Sequence, residues 1–266
     1  MIIIGERINA TRKRVREAIA KKDKAFLQKL AVDQVEAGAD YIDVNAGTFP
    51  EEEAELMEWL VQAVQEVVEV PLSLDSASPA ALEAGLKLHR NGKPIINSIT
   101  AEEAKFRKVV PLILQYQAPI LALSLDDNGI TKTAEERFVV ARKLIEALCA
   151  EGIAQDQIYL DPLIQPISVQ NDFGVIAIEV IRQVKQEFPA VNTTCGLSNI
   201  SFGLPQRAKL NRCFLIMAMA AGLDSAILDP LDQKLMGAIR ASEALLGKDH
   251  FCKNYIKAFR ESKVSD

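Results

Sequence analysis

The sequence predicts a single (β/α)8 barrel with parallel strands over residues 1–266, and three observations carry that expectation. The chain is 266 residues long, in the range of about 250 residues where one such barrel is routinely a domain by itself. Short apolar, β-rich runs recur in it at residues 2–4, 41–45, 72–75, 95–98, 120–125, 158–161, 193–196 and 225–228. Between them lie helix-length segments with apolar residues at three- and four-residue spacing, such as 54–68 and 134–150. Alternating β and α units of this number close a barrel more naturally than they build an open sheet.

The elements follow in chain order. The first strand opens the chain and meets Gly5, Glu6 and Arg7 at once. Gly38 stands where a helix terminates before the second strand, and Gly222 does the same before the last. On the second and third strands the alternation of side chains puts Asp43 with Asn45, and Ser73 with Asp75, on one face, and turns Ile42, Val44, Leu72 and Leu74 toward the outer helices. Ser78-Pro79 reads as an N-cap with proline in the first turn, and Thr100-Ala101-Glu102-Glu103 as a capping box. His89 closes a helix in Leu88-His89-Arg90-Asn91-Gly92, solvated or stabilising the helix dipole. Residues 214–221 are apolar enough for a core or an interface. After Gly247 the chain becomes a polar tail ending in one more helix; disorder is expected only at the C-terminal end.

Composition narrows the function. Apolar residues make up 49%, charged residues 25% and aromatic residues 6%, as in a soluble protein with an aliphatic core. A net charge of -5 argues against a nucleic-acid partner, which selects a basic stripe. The apolar opening at residues 1–4 is too short for a signal peptide, and no run of about 18 apolar residues occurs, so a cytoplasmic protein without membrane contact is expected. Cys149, Cys195, Cys213 and Cys252 form no CxxC pair, and the histidines are His89 and His250 alone, so neither a metal site nor a disulfide framework is expected.

Active sites of such barrels lie at the C-terminal ends of the strands. There the sequence places Glu6, Asp43 with Asn45, Asp75, Asn97, Asp126 to Asn128, Asp161, Ser198 with Asn199, and Asp229. Asp and Asn at loop starts are usually helix caps or turn formers. Asp75 and Asn97 each lie three residues before a cap of their own helix, and Asn199 is well upstream of Pro205, so these three are expected to contact a ligand. Asp161 and Asp229 each precede proline, where turn and ligand contact fit equally. Asp126 to Asn128 reads as a solvated loop, and Arg12, Lys13, Arg14 and Arg16 as a solvated helix face before a receptor for an acidic partner or a polyglutamyl tail. With no lysine at a strand end, Schiff-base chemistry is disfavoured. A ring of carboxylates and amides suits a flat heterocycle bearing N–H donors and carbonyl acceptors, as a pterin does.

Ile4-Gly5-Glu6-Arg7-Ile8-Asn9, Leu74-Asp75-Ser76, Ile96-Asn97-Ser98, Asp161-Pro162-Leu163, Gly196-Leu197-Ser198-Asn199 and Asn211-Arg212, with Met57-Glu58-Trp59-Leu60-Val61 and Met217-Ala218-Met219-Ala220, together resemble the methyltetrahydrofolate:corrinoid protein methyltransferases over nearly the whole chain. The same pterin-binding barrel occurs in the folate module of cobalamin-dependent methionine synthase and in dihydropteroate synthase. The loop Asn9-Ala10-Thr11-Arg12-Lys13-Arg14 does not resemble the opening motif of the latter. The resemblance implies that Asp75, Asn97 and Asp161 hydrogen-bond the pterin, that Glu6, Gly196 and Ser198 line the same pocket, that Asn199 contacts the N5 region, and that Arg207 lies near the folate.

It also implies tetrahydrofolate or methyltetrahydrofolate as substrate and methyl transfer between N5 and the cobalt of a corrinoid. The Asp-x-His-x-x-Gly pattern of cobalamin domains is absent, so the corrinoid is expected on a transient partner protein. A tertiary amine leaves poorly, so N5 must gain positive charge during transfer. Asn199 would favour that state by a hydrogen bond, with Asp75 and Asn97 ordering the water that carries the proton. The basic first loop tilts the direction toward tetrahydrofolate, in catabolism of methylated amines or methoxylated aromatics. Transfer from methyltetrahydrofolate to a corrinoid iron-sulfur protein in acetogenic metabolism and a non-catalytic folate-binding barrel are the alternatives. By resemblance alone a homodimer is expected.

Overall fold

A computed structural model of the chain describes residues 1–261 and Val264. Strands β1 (Ile2–Asn9), β2 (Tyr41–Asn45), β3 (Leu72–Asp75), β4 (Ile95–Thr100), β5 (Ile120–Leu123), β6 (Ile158–Asp161), β7 (Asn192–Thr193) and β8 (Ser225–Leu228) pair in parallel in the order β7-β6-β5-β4-β3-β2-β1-β8. The seam between β7 and β8 closes just beyond the short β7, where Ile227 N–H donates to Cys195 O at 2.8 Å and Gly196 bridges Ile227 in parallel. The expected barrel is the observed one.

Around it lie α1 (Lys13–Ala20), α2 (Lys24–Glu36), α3 (Glu53–Gln65), α4 (Pro79–Leu88), α5 (Glu103–Tyr116), α6 (Ala134–Ala150), α7 (Phe173–Glu187), α8 (Arg207–Ala221) and α9 (Gln233–Leu245), with α10 (Lys253–Arg260) after a short turn. The helix expected after Gly247 is α10; the expectation of disorder at the extreme C terminus falls on residues outside those described. Gly38 and Gly222 adopt φ of +106° and +115°, the left-handed conformation expected of glycines that end a helix. On α8, Phe214, Leu215, Ala218 and Met219 are buried while Ile216, Met217 and Ala220 are exposed, so the apolar 214–221 stretch is a core face with three residues turned outward.

The main core lies between strands and helices and contains Ile42, Val44, Leu72 and Leu74, the residues the alternation turned outward from the axis. A smaller cluster of Ile4, Ile95, Leu121 and Tyr159, joined by Ile2, Tyr41 and Ile227, fills the inside of the barrel. Barrels of this size have a packed interior rather than a pore. This apolar plug forms the floor on which the polar strand ends stand.

Several boundaries differ from expectation. β1 runs on to Asn9, because a bulge after Gly5 lets it keep pairing with β2: Gly5 faces Ile42 but Ile8 faces Val44. The N–H of Arg7, within this bulge, donates to Oε1 of the fully buried Gln34 at 2.9 Å. β4 likewise bulges between Asn97 and Ile99 and ends at Thr100. Thr100 is therefore a strand residue and not a cap: its hydroxyl donates to Glu102 at 2.8 Å, and α5 begins without a side-chain cap. β5 stops at Leu123 and β7 holds only two residues; beyond β7 the chain runs on to Gly196, which lines the site. Ser78 does cap α4, its hydroxyl accepting from Ala81 N–H.

His89 is neither solvated nor a partner of the helix dipole. It is half-buried, its Nε2 accepts the Leu72 N–H at 3.2 Å, and burial pushes its pKa down to about 4. Imidazole that accepts a backbone hydrogen bond must be neutral, so His89 is a structural tie between α4 and the start of β3.

Gly5 admits Gln34 to the bulge: a Cβ there would come within 2.5 Å of Gln34 Oε1. Moving that amide would leave the part-buried Arg7 N–H without its acceptor. Gly5→Ala is expected to lower stability by about 1–3 kcal/mol, read as a shift in the denaturant midpoint. The Gly5→Ala, Gln34→Ala double variant should cost less than the sum of the singles; strict additivity would refute the contact.

Candidate functional site

The polar strand ends meet in adjacent rungs of the ladder: Asp43 faces Ser73, Asn45 faces Asp75, Asp75 faces Asn97, and Leu123 faces Asp161. Asp43 is 2% exposed, Asn97 7% and Asp161 6%. Burying a carboxylate is costly unless its oxygens are hydrogen-bonded, and each of these is. Asp43 Oδ1 accepts from Ser73 Oγ at 2.7 Å and from Asn97 Nδ2 at 3.2 Å. Asp75 Oδ2 accepts from Asn45 Nδ2 at 2.9 Å. Asp161 Oδ1 accepts from the Leu163 N–H at 2.7 Å, in a turn that holds Leu163 at φ +59°. Asn97 and Asn45 thus spend their amide N–H on carboxylates.

These groups hold protons more tightly than carboxylates in water. Burial pushes Asp75 and Asp161 up to about 6. Asp43 is pushed well above the usual range by burial and then by the negative charge of Asp75. Around Asp161 the N–H groups of Leu163, Gly196 and Ile164, and beyond them Arg137, act against burial. Arg137 is fully buried; it donates to the carbonyls of Thr131, Pro162 and Leu163 and so braces the loop that carries Asp161.

Glu6 comes from the β1 bulge. Arg12 Nη2 lies 2.5 Å from its Oε1, and Ser198 Oγ donates to its Oε2 at 3.1 Å. Burial raises its pKa, with Arg12 opposing. Ser198 and Asn199 stand in a 3-10 turn at Leu197–Ser201. A Cβ on Gly196 would lie 3.3 Å from Asn199 Nδ2, so glycine gives the exposed Asn199 side chain its room. Arg207 donates to Ser198 O at 2.6 Å and to Ser201 Oγ at 3.1 Å, with its guanidinium 5.8 Å from the centroid of the Phe202 ring.

A cavity of about 350 Å³ opens over these groups, lined by Glu6, Asp43, Asp75, Asn97, Asp161 and Asn199, with Gly196 and Ser198 at its edge. Leu121, Leu123 and Ile227 supply its apolar floor. A larger cavity of about 600 Å³ adjoins it and includes Arg207, Phe202 and Asn211. The structure therefore brings every expected site residue to one mouth, with Arg207 in the adjoining cavity.

Asp43 and Arg12 stand out among the residues of the mouth that were not expected ligand contacts. Asp43 is the hub that Ser73 and Asn97 share; the alternation that put it inside the barrel was the available signal. Arg12 stands just before α1, partly exposed, and its reach back to Glu6 has no signature in sequence. Asp229 proves to be both turn former and ion pair, accepting from the Leu231 N–H at 3.0 Å and from Arg7 at 2.7 Å. The Asp126 to Asn128 loop is a local turn, with Asn128 N–H on Asp126 Oδ1.

Comparison with known proteins places this mouth in context. The model of a family described as pterin binding enzyme matches residues 5–229. A methylcorrinoid:tetrahydrofolate methyltransferase of Eubacterium limosum is 39% identical over 99% of this chain and 98% of its own. The methionine synthase of Mycobacterium tuberculosis is 35% identical over 85% of this chain, which spans 20% of that longer protein. Among solved structures, the dihydropteroate synthases of Xanthomonas albilineans and Yersinia pestis superpose with TM-scores of 0.66 and 0.67, each at 17% identity, covering 94% and 92% of this chain and 93% of each of theirs. At that identity they share the barrel.

The carboxylates also set the sign of pH dependence. Asp161 binds its proton near pH 6 when folded and near 3.8 otherwise, so between those values the native state holds the extra proton and stability rises as pH falls. The span corresponds to roughly 3 kcal/mol. Without ligand the protein should melt at higher temperature at pH 5 than at pH 7.5, and Asp161→Asn should flatten that slope; a melting temperature that rises toward pH 7.5 would contradict it.

Proposed function

The chain belongs to the pterin-binding enzyme family, and from that premise we propose that it is a methyltransferase acting between N5 of a tetrahydrofolate and the cobalt of a corrinoid held by a partner protein. The observation that carries the reading is the ring of buried carboxylates and amides around one cavity, in a chain that aligns end to end with a methylcorrinoid:tetrahydrofolate methyltransferase. A pterin edge offers adjacent N–H donors that a carboxylate accepts side by side. Asp75 and Asp161 take those donors, and Asn97, anchored through its N–H to Asp43, presents its carbonyl. Glu6, Gly196 and Ser198 close the pocket wall, and Arg207 meets the part of the folate that extends into the adjoining cavity.

Asn199 serves the N5 region. Its side chain is exposed at the mouth, where a partner can deliver the methyl group. An amide there stabilises the charge that develops at N5 without itself supplying a proton. The corrinoid enters as a substrate on its own protein. His89 is committed to Leu72 and His250 lies in the segment after α9, so neither histidine stands at the mouth to ligate cobalt.

The direction we propose is from the corrinoid protein to tetrahydrofolate, as the name of the Eubacterium limosum relative has it, with a methylated amine or methoxylated aromatic as the original donor. Among the described residues no helix is long and apolar enough to cross a membrane, in keeping with a cytoplasmic enzyme. The outward Ile216 and Met217 of α8 suit a homodimer contact.

Absorbance of methylcobalamin mixed with tetrahydrofolate, and anaerobically of cob(I)alamin with methyltetrahydrofolate, tests the reaction. Methylcobalamin should be consumed in the first and formed in the second only with the protein present. Folate binding without conversion, even with a corrinoid protein supplied, would mark a binding barrel instead. Asn199→Ala should slow transfer about a hundredfold, the effect of losing one transition-state contact, while tetrahydrofolate affinity changes little; full rate with collapsed affinity would refute its role.

A further inference from the structure

The two cavities at the mouth share four lining residues, Glu6, Thr11, Arg12 and Ser198. In a folate, the arm leaves the pterin at C6, the ring atom next to N5. The polar cavity over Asp43, Asp75 and Asp161 suits the pterin. The adjoining one, with Phe202 and Leu235 for an aromatic ring and Arg12 and Arg207 for carboxylates, suits the arm. Asn211 adds a buried Oδ1 with no hydrogen-bond partner among the described residues. With one part in each cavity, N5 falls at the seam, and of the four seam residues only Glu6 carries an acid–base group of the needed range.

We propose that Glu6 is the catalytic residue that takes the proton from N5 during methylation of tetrahydrofolate and returns it in the reverse direction. This rests on the pterin reading of the site. The N5 lone pair forms the bond to the methyl carbon, and the carbon–cobalt bond breaks with both electrons passing to cobalt, which goes from Co(III) to Co(I). The N5–H bond leaves its electron pair on nitrogen as the proton moves to the Glu6 carboxylate, which later yields it to water. This direct transfer gives the N5 proton a route that does not need water ordered by Asp75 and Asn97.

The surroundings suit both states of Glu6. Arg12 keeps the carboxylate charged and ready to accept, and Ser198 Oγ orients it. Arg207 from the start of α8 adds positive charge, while Asp229 after β8 and Asp43 on β2 add negative charge. Burial raises its proton affinity, so the proton it takes is held and not lost at once.

The test is steady-state kinetics with methylcobalamin and tetrahydrofolate across pH for wild type, Glu6→Gln and Glu6→Asp. In wild type kcat should fall toward acid pH; Glu6→Gln should lose about a hundredfold in kcat, keep its KM for tetrahydrofolate within a few-fold, and lose that fall. Glu6→Asp should keep that acid limb at an intermediate rate. Should Glu6→Gln fail to fold, by circular dichroism, Arg12→Gln decides: removing the cation should move the acid limb to higher pH. Full kcat in Glu6→Gln, a loss confined to KM, an acid limb that persists in Glu6→Gln, or one that stays unmoved in Arg12→Gln would overturn the proposal. Asp75→Asn binding tetrahydrofolate as wild type does would instead overturn the pterin reading, and the inference with it.

Discussion

Charge burial at the barrel mouth is the constraint on which the rest of the structure depends. Carboxylates of Glu6, Asp43, Asp75 and Asp161 crowd one opening, and each must be hydrogen-bonded or the fold would not tolerate it. Much of the local architecture answers that demand. Ser73 and Asn97 serve Asp43, Asn45 serves Asp75, the loop after β6 turns its N–H groups to Asp161, and Arg12 with Ser198 serves Glu6. These partners come from different strands, so only a closed barrel in the right register satisfies them all. In this sense the site and the fold specify each other.

The same arrangement prepares the mouth for a ligand rich in N–H donors. Asp75 and Asp161 sit near their proton-binding midpoints at about 6, because burial raises the free energy of the charged form. A donor edge laid against them restores what water would have given. The cost of burying charge without ligand is thereby recovered as specificity for a heterocycle of matching pattern. The apolar plug of Ile4, Leu121 and Tyr159 beneath keeps the polar layer at one depth, so that a flat ring rests on a floor and not in a well of water.

The bulges in β1 and β4 show how a regular barrel is adapted to such work. Each adds one residue to a strand just where it reaches the mouth, and bulges re-aim side chains in this way. In β1 the bulge turns Glu6 to the cavity and Arg7 to Asp229. The irregularity is held by Gln34, buried behind it and fitted against Gly5.

Sequence alone determined the barrel, its strand positions and most of the mouth. Those rest on local rules: alternation along a strand fixes which residues face the axis, and spacing of apolar residues fixes the helices. Asp75, Asn97 and Asn199 were legible because each stood too far from a helix start to cap it, whereas Asp161, before Pro162, fitted a turn equally well and was singled out by the resemblance. What tertiary structure decided was pairing at a distance. That Asn97 gives its amide to Asp43, 54 residues away in sequence, that β1 continues through a bulge, that Thr100 is strand and His89 a neutral tie to Leu72, and that Arg12 closes on Glu6 between two cavities all depend on which strand ends meet. Register and closure set those meetings, and no residue's own neighbours encode them.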